Sequence, residues 1–89
     1  MQQLTMNLGE KRRVSFRITS SLGENFVICD PTYKLQRDCI VEDSGVPEVN
    51  GHVLYLFVEP QKMGTYIIEC SFWIGGEHLI RKVSLSVEK

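Results

Sequence analysis

Cysteine is scarce in this 89-residue sequence, which contains Cys29, Cys39 and Cys70. An odd number of cysteines without a secretory leader does not indicate a disulfide framework. No two of them have the C-x-x-C spacing that is typical of a zinc site. We therefore expect three reduced thiols, no bound metal and no cofactor. A bridge between Cys29 and Cys39 is the alternative if the two residues lie on adjacent strands.

The sequence also lacks a leader, a long apolar run and an excess of charge of either sign. No basic segment followed by an apolar one opens the chain, so no secretory signal is predicted. No apolar run approaches the roughly 20 residues of a membrane-spanning helix. Ten basic and eleven acidic side chains leave a net charge of −1, which gives no electrostatic footprint for nucleic acid. We expect a chain made in a reducing cytoplasm that binds neither nucleic acid nor membrane.

Patterns of catalytic residues are missing as well. The two histidines, His52 and His78, both flank predicted turns, where exposed neighbours of the turn are more common than a catalytic pair. Four acidic residues lie in one stretch of the chain: Asp38, Glu42, Asp43 and Glu48. Their spacing differs from that of a calcium-binding loop and favours a solvated loop. With no glycine-rich phosphate loop either, the sequence predicts a protein that is not an enzyme.

What the sequence does contain is period-two alternation, most clearly over residues 64–87. Apolar side chains occupy alternate positions on both sides of Gly75-Gly76, a pair that supplies the positive φ of a two-residue hairpin turn. The turn predicts a register that places Glu69 opposite Lys82 on the outer face. On the inner face the same register predicts three apolar pairs: Phe72 with Leu79, Ile68 with Val83, and Tyr66 with Leu85.

Turn signals recur roughly every eight to twelve residues, and no long helical period is present. The pattern predicts an all-β fold, an antiparallel β-sandwich of about seven strands formed by residues 1–89 as one domain. The predicted core is Val14, Phe16, Ile18, Leu54, Leu56, Tyr66, Ile68, Cys70, Phe72, Val83, Leu85 and Val87. For the strand over residues 52–58, the alternative is the opposite parity, with Val53, Tyr55 and Phe57 inside.

The middle of the chain has the weakest pattern. Asp30-Pro31 is predicted to stop a short strand over residues 26–29, because proline donates no hydrogen bond to a ladder. Residues 32–41 are predicted to form one weak strand, with a single helical turn near its start as the alternative. Residues 20–25 are predicted to form a turn, and residues 42–51 an irregular loop.

Apolar side chains also fall on the outer face of the final hairpin. The candidate interface residues are Ile67, Trp73 and Ile80, with Ile74 near the tip. A contiguous exposed cluster that contains a tryptophan is typical of a protein interface. The alternative is that another part of the chain covers these side chains.

The strongest basic run is Lys11-Arg12-Arg13, with Arg17 close by. Charged side chains on an edge strand discourage aggregation through the open edge, so the run favours a charged edge strand. A phosphate-binding edge is the alternative. The segment before this run, residues 2–8, is predicted to be an edge strand or an arm.

Gly64-Thr65-Tyr66, which enters the penultimate strand, resembles the tyrosine corner of immunoglobulin-like domains, whose hydroxyl bonds a backbone group upstream. The order of features continues this likeness over most of the chain. A charged strand over residues 10–18 is followed by Asp30-Pro31-Thr32, an apolar strand and a hairpin that ends in Val87. This order resembles the small immunoglobulin-like domains of tailed-phage structural proteins. The most similar family known to us is the N-terminal domain of baseplate upper proteins from phages of Gram-positive bacteria.

The resemblance implies a virion assembly or attachment module without catalysis, and it assigns a role to no individual residue. We therefore expect a structural or protein-interaction module of a phage or prophage tail or baseplate, located in the virion and bound to copies of itself or to other virion proteins. The alternative is a bacterial immunoglobulin-like adhesion or carbohydrate-binding domain. A chain that begins with Met1 and ends directly after its last strand favours the first expectation.

Overall fold

The computed structural model describes residues 2–19 and 26–89, and these residues form eight strands and no helix. The strands are β1 Gln2–Asn7, β2 Arg12–Arg17, β3 Cys29–Arg37, β4 Ile40–Gly45, β5 Glu48–Asn50, β6 Val53–Val58, β7 Gly64–Ile74 and β8 Glu77–Glu88. The all-β prediction is confirmed. The turn predicted over residues 20–25 lies outside the described residues.

The strands form two sheets, with orders β1-β8-β7-β3-β4 and β2-β6-β5. One apolar core takes side chains from both sheets, an arrangement compatible with a β-sandwich. Two details differ from the prediction. Eight strands are present among the described residues instead of about seven, and β1 runs parallel to β8, so the strand pairing is not wholly antiparallel.

All twelve predicted core residues are buried. Strand β6 turns Leu54 and Leu56 inward, while Phe57 is exposed, so the first of the two alternative parities is confirmed. The prediction omitted five further buried apolar side chains: Met6, Ile28, Leu35, Val58 and Ile74. Leu35 and Met6 belong to strands whose pairing depends on distant parts of the chain, and local alternation carries little information about such pairing.

The final hairpin has the predicted register. Phe72 pairs with Leu79, and Glu69 pairs with Lys82 on the outer face. The other two predicted pairs, Ile68 with Val83 and Tyr66 with Leu85, are present as well. Gly75 and Gly76 both have positive φ, +56° and +85°, as a two-residue turn of the primed type requires.

Strand β3 corrects two predictions for the middle of the chain. Asp30-Pro31 does not stop the strand, because Asp30 takes a φ of +49° in a bulge and the strand continues to Arg37. Strand β4 pairs with β3 only from Tyr33 onward, so β7 is the one strand among the described residues that borders this bulged stretch. The predicted weak strand over residues 32–41 is instead a hairpin. Asp38 and Cys39 form its turn with φ of +52° and +64°.

Residues 42–51 are also more regular than predicted. Strand β4 extends to Gly45, and β5 follows after Pro47 and pairs with β6. Pro47 is buried where the chain crosses from the five-stranded sheet to the three-stranded sheet. The irregular part of residues 42–51 is therefore Val46 and Pro47, where the chain crosses between two edge strands, and Gly51, which begins the turn into β6.

Tyr66 makes the hydrogen bond predicted for a tyrosine corner. Its ring is fully buried, and its hydroxyl accepts a hydrogen bond of 3.2 Å from the backbone N–H of Lys62, four residues upstream. The same hydroxyl donates to Glu42 Oε2 at 2.6 Å, and Glu42 Oε1 accepts from the backbone N–H of Gln61 at 2.8 Å. Burial and, after it, the bond to Glu42 raise the pKa of Tyr66. Glu42 therefore fixes edge strand β4 to the loop that connects β6 and β7.

Candidate functional site

The outer face of the five-stranded sheet presents Trp73 and Ile80 close together at the tip of the final hairpin. Trp73 is 43% exposed and Ile80 is 45% exposed. Trp73 pairs with His78, and Ile80 pairs with Ser71 in the next row, so the two apolar side chains are diagonal neighbours about 7 Å apart. The described part of the chain leaves this pair accessible to a partner.

His78 supports the indole of Trp73. The two rings lie 4.9 Å apart between centroids with an interplanar angle of 36°. Because both residues belong to paired strands next to a two-residue turn, the indole is held on a rigid element instead of a long loop. An amphipathic ring that is already ordered loses little conformational entropy on binding, which favours its use as an anchor.

Ile67 is separated from this pair. It lies on the same outer face and pairs with Ser84, but the row of Glu69 and Lys82 stands between it and Ile80. Ile67 is also only partly exposed. The predicted contiguous cluster is therefore a pair, Trp73 with Ile80, and one isolated isoleucine beyond a charged row.

Ile74 differs more strongly from its predicted place. Only 6% of its surface is exposed, and it contributes to the core. The alternation that places Tyr66 and Phe72 inward continues to the end of β7, and Ile74 has the same parity as both. Strict application of the two-residue period to the last residue of the strand would have identified it as inward-facing.

The outer face of the three-stranded sheet carries a second arrangement that the sequence analysis missed. Lys11 Nζ lies 5.6 Å from the ring centroid of Phe57, and the guanidinium of Arg13 lies 4.9 Å from that of Tyr55. Phe57 is 55% exposed. The arrangement depends on the pairing of β2 with β6, two strands that are far apart in sequence. The available signal was the parity of Tyr55 and Phe57, opposite to that of the buried leucines.

The basic run belongs to an edge. Strand β2 has β6 on one side and no paired strand on the other among the described residues, so it is the edge strand that the charged-edge interpretation requires. Arg12, Arg13 and Arg17 are exposed. Arg12 and Arg13 also line a groove between β2 and the β1–β8 pair, together with Thr5.

The remaining polar candidates have separate surroundings. His52 stacks on Phe26 at 3.9 Å and has Nε2 3.2 Å from the carbonyl oxygen of Phe26. All three cysteines are unpaired, with Cys29 and Cys39 exposed and Cys70 buried. Burial, and to a smaller extent the charge of Glu69, raises the pKa of the Cys70 thiol to about 12, a direction that opposes nucleophilic reactivity.

The four acidic residues do not form the predicted solvated loop. Asp38 lies in the β3–β4 turn, where its carboxylate is 3.6 Å from Arg37. Glu42 and Asp43 belong to β4, and Glu48 begins β5. Among residues 2–19 and 26–89, no three His, Cys, Asp or Glu side chains come together as a metal site would require.

The part of the chain that the structure covers has no helix with the length and apolar character needed to cross a membrane. Comparisons with protein-family models, with curated proteins and with solved structures found no significant match to the chain.

Proposed function

We propose that the chain is a non-enzymatic protein-interaction module with an immunoglobulin-like sandwich fold, a structural component of a phage or prophage tail or baseplate. The observation that carries the proposal is the exposed pair Trp73 and Ile80 on the outer face of the five-stranded sheet. Tryptophan is enriched among the residues that contribute most to binding energy at protein interfaces.

The strand order supports the immunoglobulin-like part of the proposal. In variable-type immunoglobulin domains, the last two strands and the third form one sheet with an added strand beside the third, and the second strand pairs elsewhere. The order β8-β7-β3-β4 opposite β2-β6-β5 corresponds to that scheme, with β1 beside the last strand. Tyr66, near the start of the penultimate strand, makes the hydrogen bond of a tyrosine corner.

The virion part of the proposal is tested in particles purified from the strain that encodes the chain, after prophage induction. We expect mass spectrometry to find the chain in the particle fraction, next to tail proteins. Recovery only from the cell envelope or only from the cytosol would contradict a virion location.

The surface part of the proposal is tested with Trp73→Ala in the same particles. We expect the substitution to weaken incorporation by about 2 kcal/mol or more, on the order of a hot spot, while the circular dichroism spectrum and melting temperature remain close to wild type. Phe57→Ala is the matched control, because it removes an exposed ring of the opposite sheet. Equal incorporation of the two variants would contradict the role of Trp73 as the anchor of the interface.

A second candidate function is an adhesion or carbohydrate-binding domain. The observation that favours it is the outer face of the three-stranded sheet, where Tyr55 and Phe57 present aromatic surface next to Arg13 and Lys11. A glycan array would distinguish the candidates. Saturable glycan binding that Phe57→Ala abolishes would favour this function over virion assembly.

A further inference from the structure

Charge is distributed unevenly between the two sides of the sandwich. On the side where β1 and β2 are the edge strands, β2 and the beginning of β8 carry five exposed basic side chains, half of the ten in the chain. We call this set the basic edge: Arg12, Arg13, Arg17, Arg81 and Lys82. Arg17 and Arg81 line the same groove between the two sheets, which shows that β2 lies over the beginning of β8.

The opposite side, where β4 and β5 are the edge strands, has two basic side chains, Arg37 and Lys62, beside four acidic ones. We call the acidic set the acidic edge: Asp38, Glu42, Asp43 and Glu48. Asp38, Asp43 and Glu48 are exposed, and Glu42 is partly exposed. Strand β4 also exposes Ile40 and Val41, so this edge combines negative charge with apolar surface.

The charged strands of the two edges are too far apart to form direct ion pairs within one molecule. Three strand spacings separate β8 from β4, about 14 Å at the usual spacing of about 4.8 Å, and two separate β2 from β5, about 10 Å. Both distances exceed the Debye length of about 8 Å at physiological ionic strength. Each edge therefore presents its charge to the surroundings and is complementary to the other edge of a neighbouring molecule.

The backbone on both sides allows the same contact. Strand β1 pairs with β8 only from Val83 onward, so within the described residues the segment Glu77–Lys82 has a free hydrogen-bonding side. Strand β4 has a free side as well, because β3 is its one paired strand in the part of the chain that the structure describes. Successive pairs β8-β7, β7-β3 and β3-β4 are all antiparallel, so β4 runs antiparallel to β8. A second copy shifted along the sheet brings its β4 antiparallel to β8 of the first.

We propose that the chain associates with a second copy of itself, head to tail, by placing the acidic edge of one molecule against the basic edge of the next. The inference rests on the proposed function, for which it names the partner and the contact. Different surfaces meet in such a contact, so each molecule keeps one free edge of each kind. Association then continues into a row or a ring in which every copy turns the Trp73 face to the same side.

The test uses analytical ultracentrifugation of the purified chain. We expect the weight-average mass to rise with concentration at low ionic strength, about 20 mM, and to return to the monomer at about 500 mM, where the Debye length is only a few ångströms. A wild-type protein that stays monomeric up to about 1 mM at low ionic strength would overturn the inference.

Two charge-reversed variants make the test specific. Arg17→Glu with Arg81→Glu leaves the acidic edge intact but lowers the net charge of the five basic-edge residues from +5 to +1, and Asp43→Lys with Glu48→Lys leaves the basic edge intact but brings the net charge of the four acidic-edge residues from −4 to 0. We expect each variant alone to be monomeric and an equimolar mixture to associate, with an apparent affinity at least about tenfold above that of either variant alone. Association in the mixture also demonstrates that both variants are folded. Self-association that survives in both variants would overturn the inference.

The control Lys34→Glu with Lys89→Glu changes the net charge as much as the first variant does, but away from the basic edge, and we expect it to behave like wild type. Loss of association in this control would show that net charge alone accounts for the behaviour of the first variant, and it would contradict the inference. Particle incorporation of a chain that is monomeric in isolation would overturn only this inference and leave the proposed function standing.

Discussion

Cys70 is the residue whose surroundings most change its chemistry. Its thiol lies within the core at the centre of β7, and burial raises its pKa from 9.0 to about 12. The folded protein therefore keeps a proton that the unfolded chain releases above about pH 9. Since the native state binds more protons in this window, stability must fall as pH rises from about 9 towards 12 and remain unaffected by this thiol below it.

We predict that Cys70→Ala flattens this alkaline loss of stability. One proton corresponds to a slope of up to about 1.4 kcal/mol per pH unit in the free energy of unfolding. Urea titrations of wild type and variant between about pH 8 and 10.5 measure the difference in slope. Tyr33 and Tyr66, whose pKa values are also raised mainly by burial, are present in both proteins; Tyr66 cancels, and the smaller contribution of Cys70 to the raised pKa of Tyr33 is lost together with the thiol. Parallel curves would contradict the prediction, whatever the cost of the cavity.

At the level of single residues, the sequence predicts burial well wherever alternation is unbroken. Every predicted core residue of β2, β6, β7 and β8 is buried, because a strand that covers a core turns each second side chain inward. The sequence was less informative about Ile74 and Leu35. The first lies next to a turn, where alternation was not applied. The second lies in β3, whose register with β7 shifts between Cys29 and Thr32 and whose register with β4 shifts between Leu35 and Gln36.

The β3–β4 hairpin is the element that contains local strain. Cys39 occupies the second turn position with φ of +64°, a conformation in which its Cβ approaches the backbone. Primed turns prefer glycine at this position, as in an Asp-Gly sequence, and here Asp38 precedes a cysteine.

We predict that Cys39→Gly stabilises the protein by about 0.5–1 kcal/mol, the left-handed strain less the extra backbone entropy of glycine. Chemical denaturation measures the gain. Cys39→Ala is the matched control, because it also removes the exposed thiol but retains Cβ, and we expect no gain from it. An equal effect of the two substitutions would attribute the change to the thiol and not to the backbone.

The same turn explains why one hairpin was predictable and the other was not. Gly75-Gly76 is a strong sequence signal for a two-residue turn, and it fixed the pairing of the last two strands. Asp38-Cys39 also forms a turn with positive φ at both residues, but it contains no glycine, so the sequence predicted one continuous weak strand over residues 32–41. Asp30-Pro31 was predicted to end a strand, because proline donates no hydrogen bond and the local sequence does not indicate a bulge. The bulge that accommodates the pair requires positive φ at Asp30, which aspartate adopts more readily than most residues.

At the scale of the whole molecule, the carboxylate of Glu42 joins two parts of the fold that do not pair as strands, β4 and the loop between β6 and β7. It accepts hydrogen bonds from Tyr66 and from the backbone of Gln61, and so connects β4 to the chain that crosses between the sheets. Because Tyr66 is fully buried, removal of its hydroxyl leaves Glu42 Oε2 and the Lys62 N–H without this partner.

We predict that Tyr66→Phe lowers the free energy of unfolding by about 1–3 kcal/mol, the cost of leaving such groups unsatisfied. Equilibrium denaturation in urea measures the loss. Tyr55→Phe is the control, because it removes a hydroxyl from the partly exposed outer face. A loss no larger than that of the control would show that the bonds among Tyr66, Glu42 and Lys62 contribute little to stability.

The candidate surfaces differ in how far they depend on the pairing of strands that are distant in sequence. Trp73 and Ile80 could be predicted, because both lie in one local hairpin whose turn sets their face. The contacts of Lys11 and Arg13 with aromatic rings could not be predicted, because they need β2 to pair with β6. The separation of basic and acidic edges likewise appears only once the strand order is known. A near-zero net charge gave no indication of it.

The parallel pairing of β1 with β8 has a mechanical consequence. The two strands are the first and the last of the chain, and their registered contact runs from Gln2 beside Val83 to Asn7 beside Glu88. A tension applied to the start of β1 and the end of β8 pulls the two strands along their length in opposite directions. All the hydrogen bonds of the pair then bear the load together in shear instead of opening one after another. In an assembly that transmits force along its axis, such a module resists extension until this single contact fails.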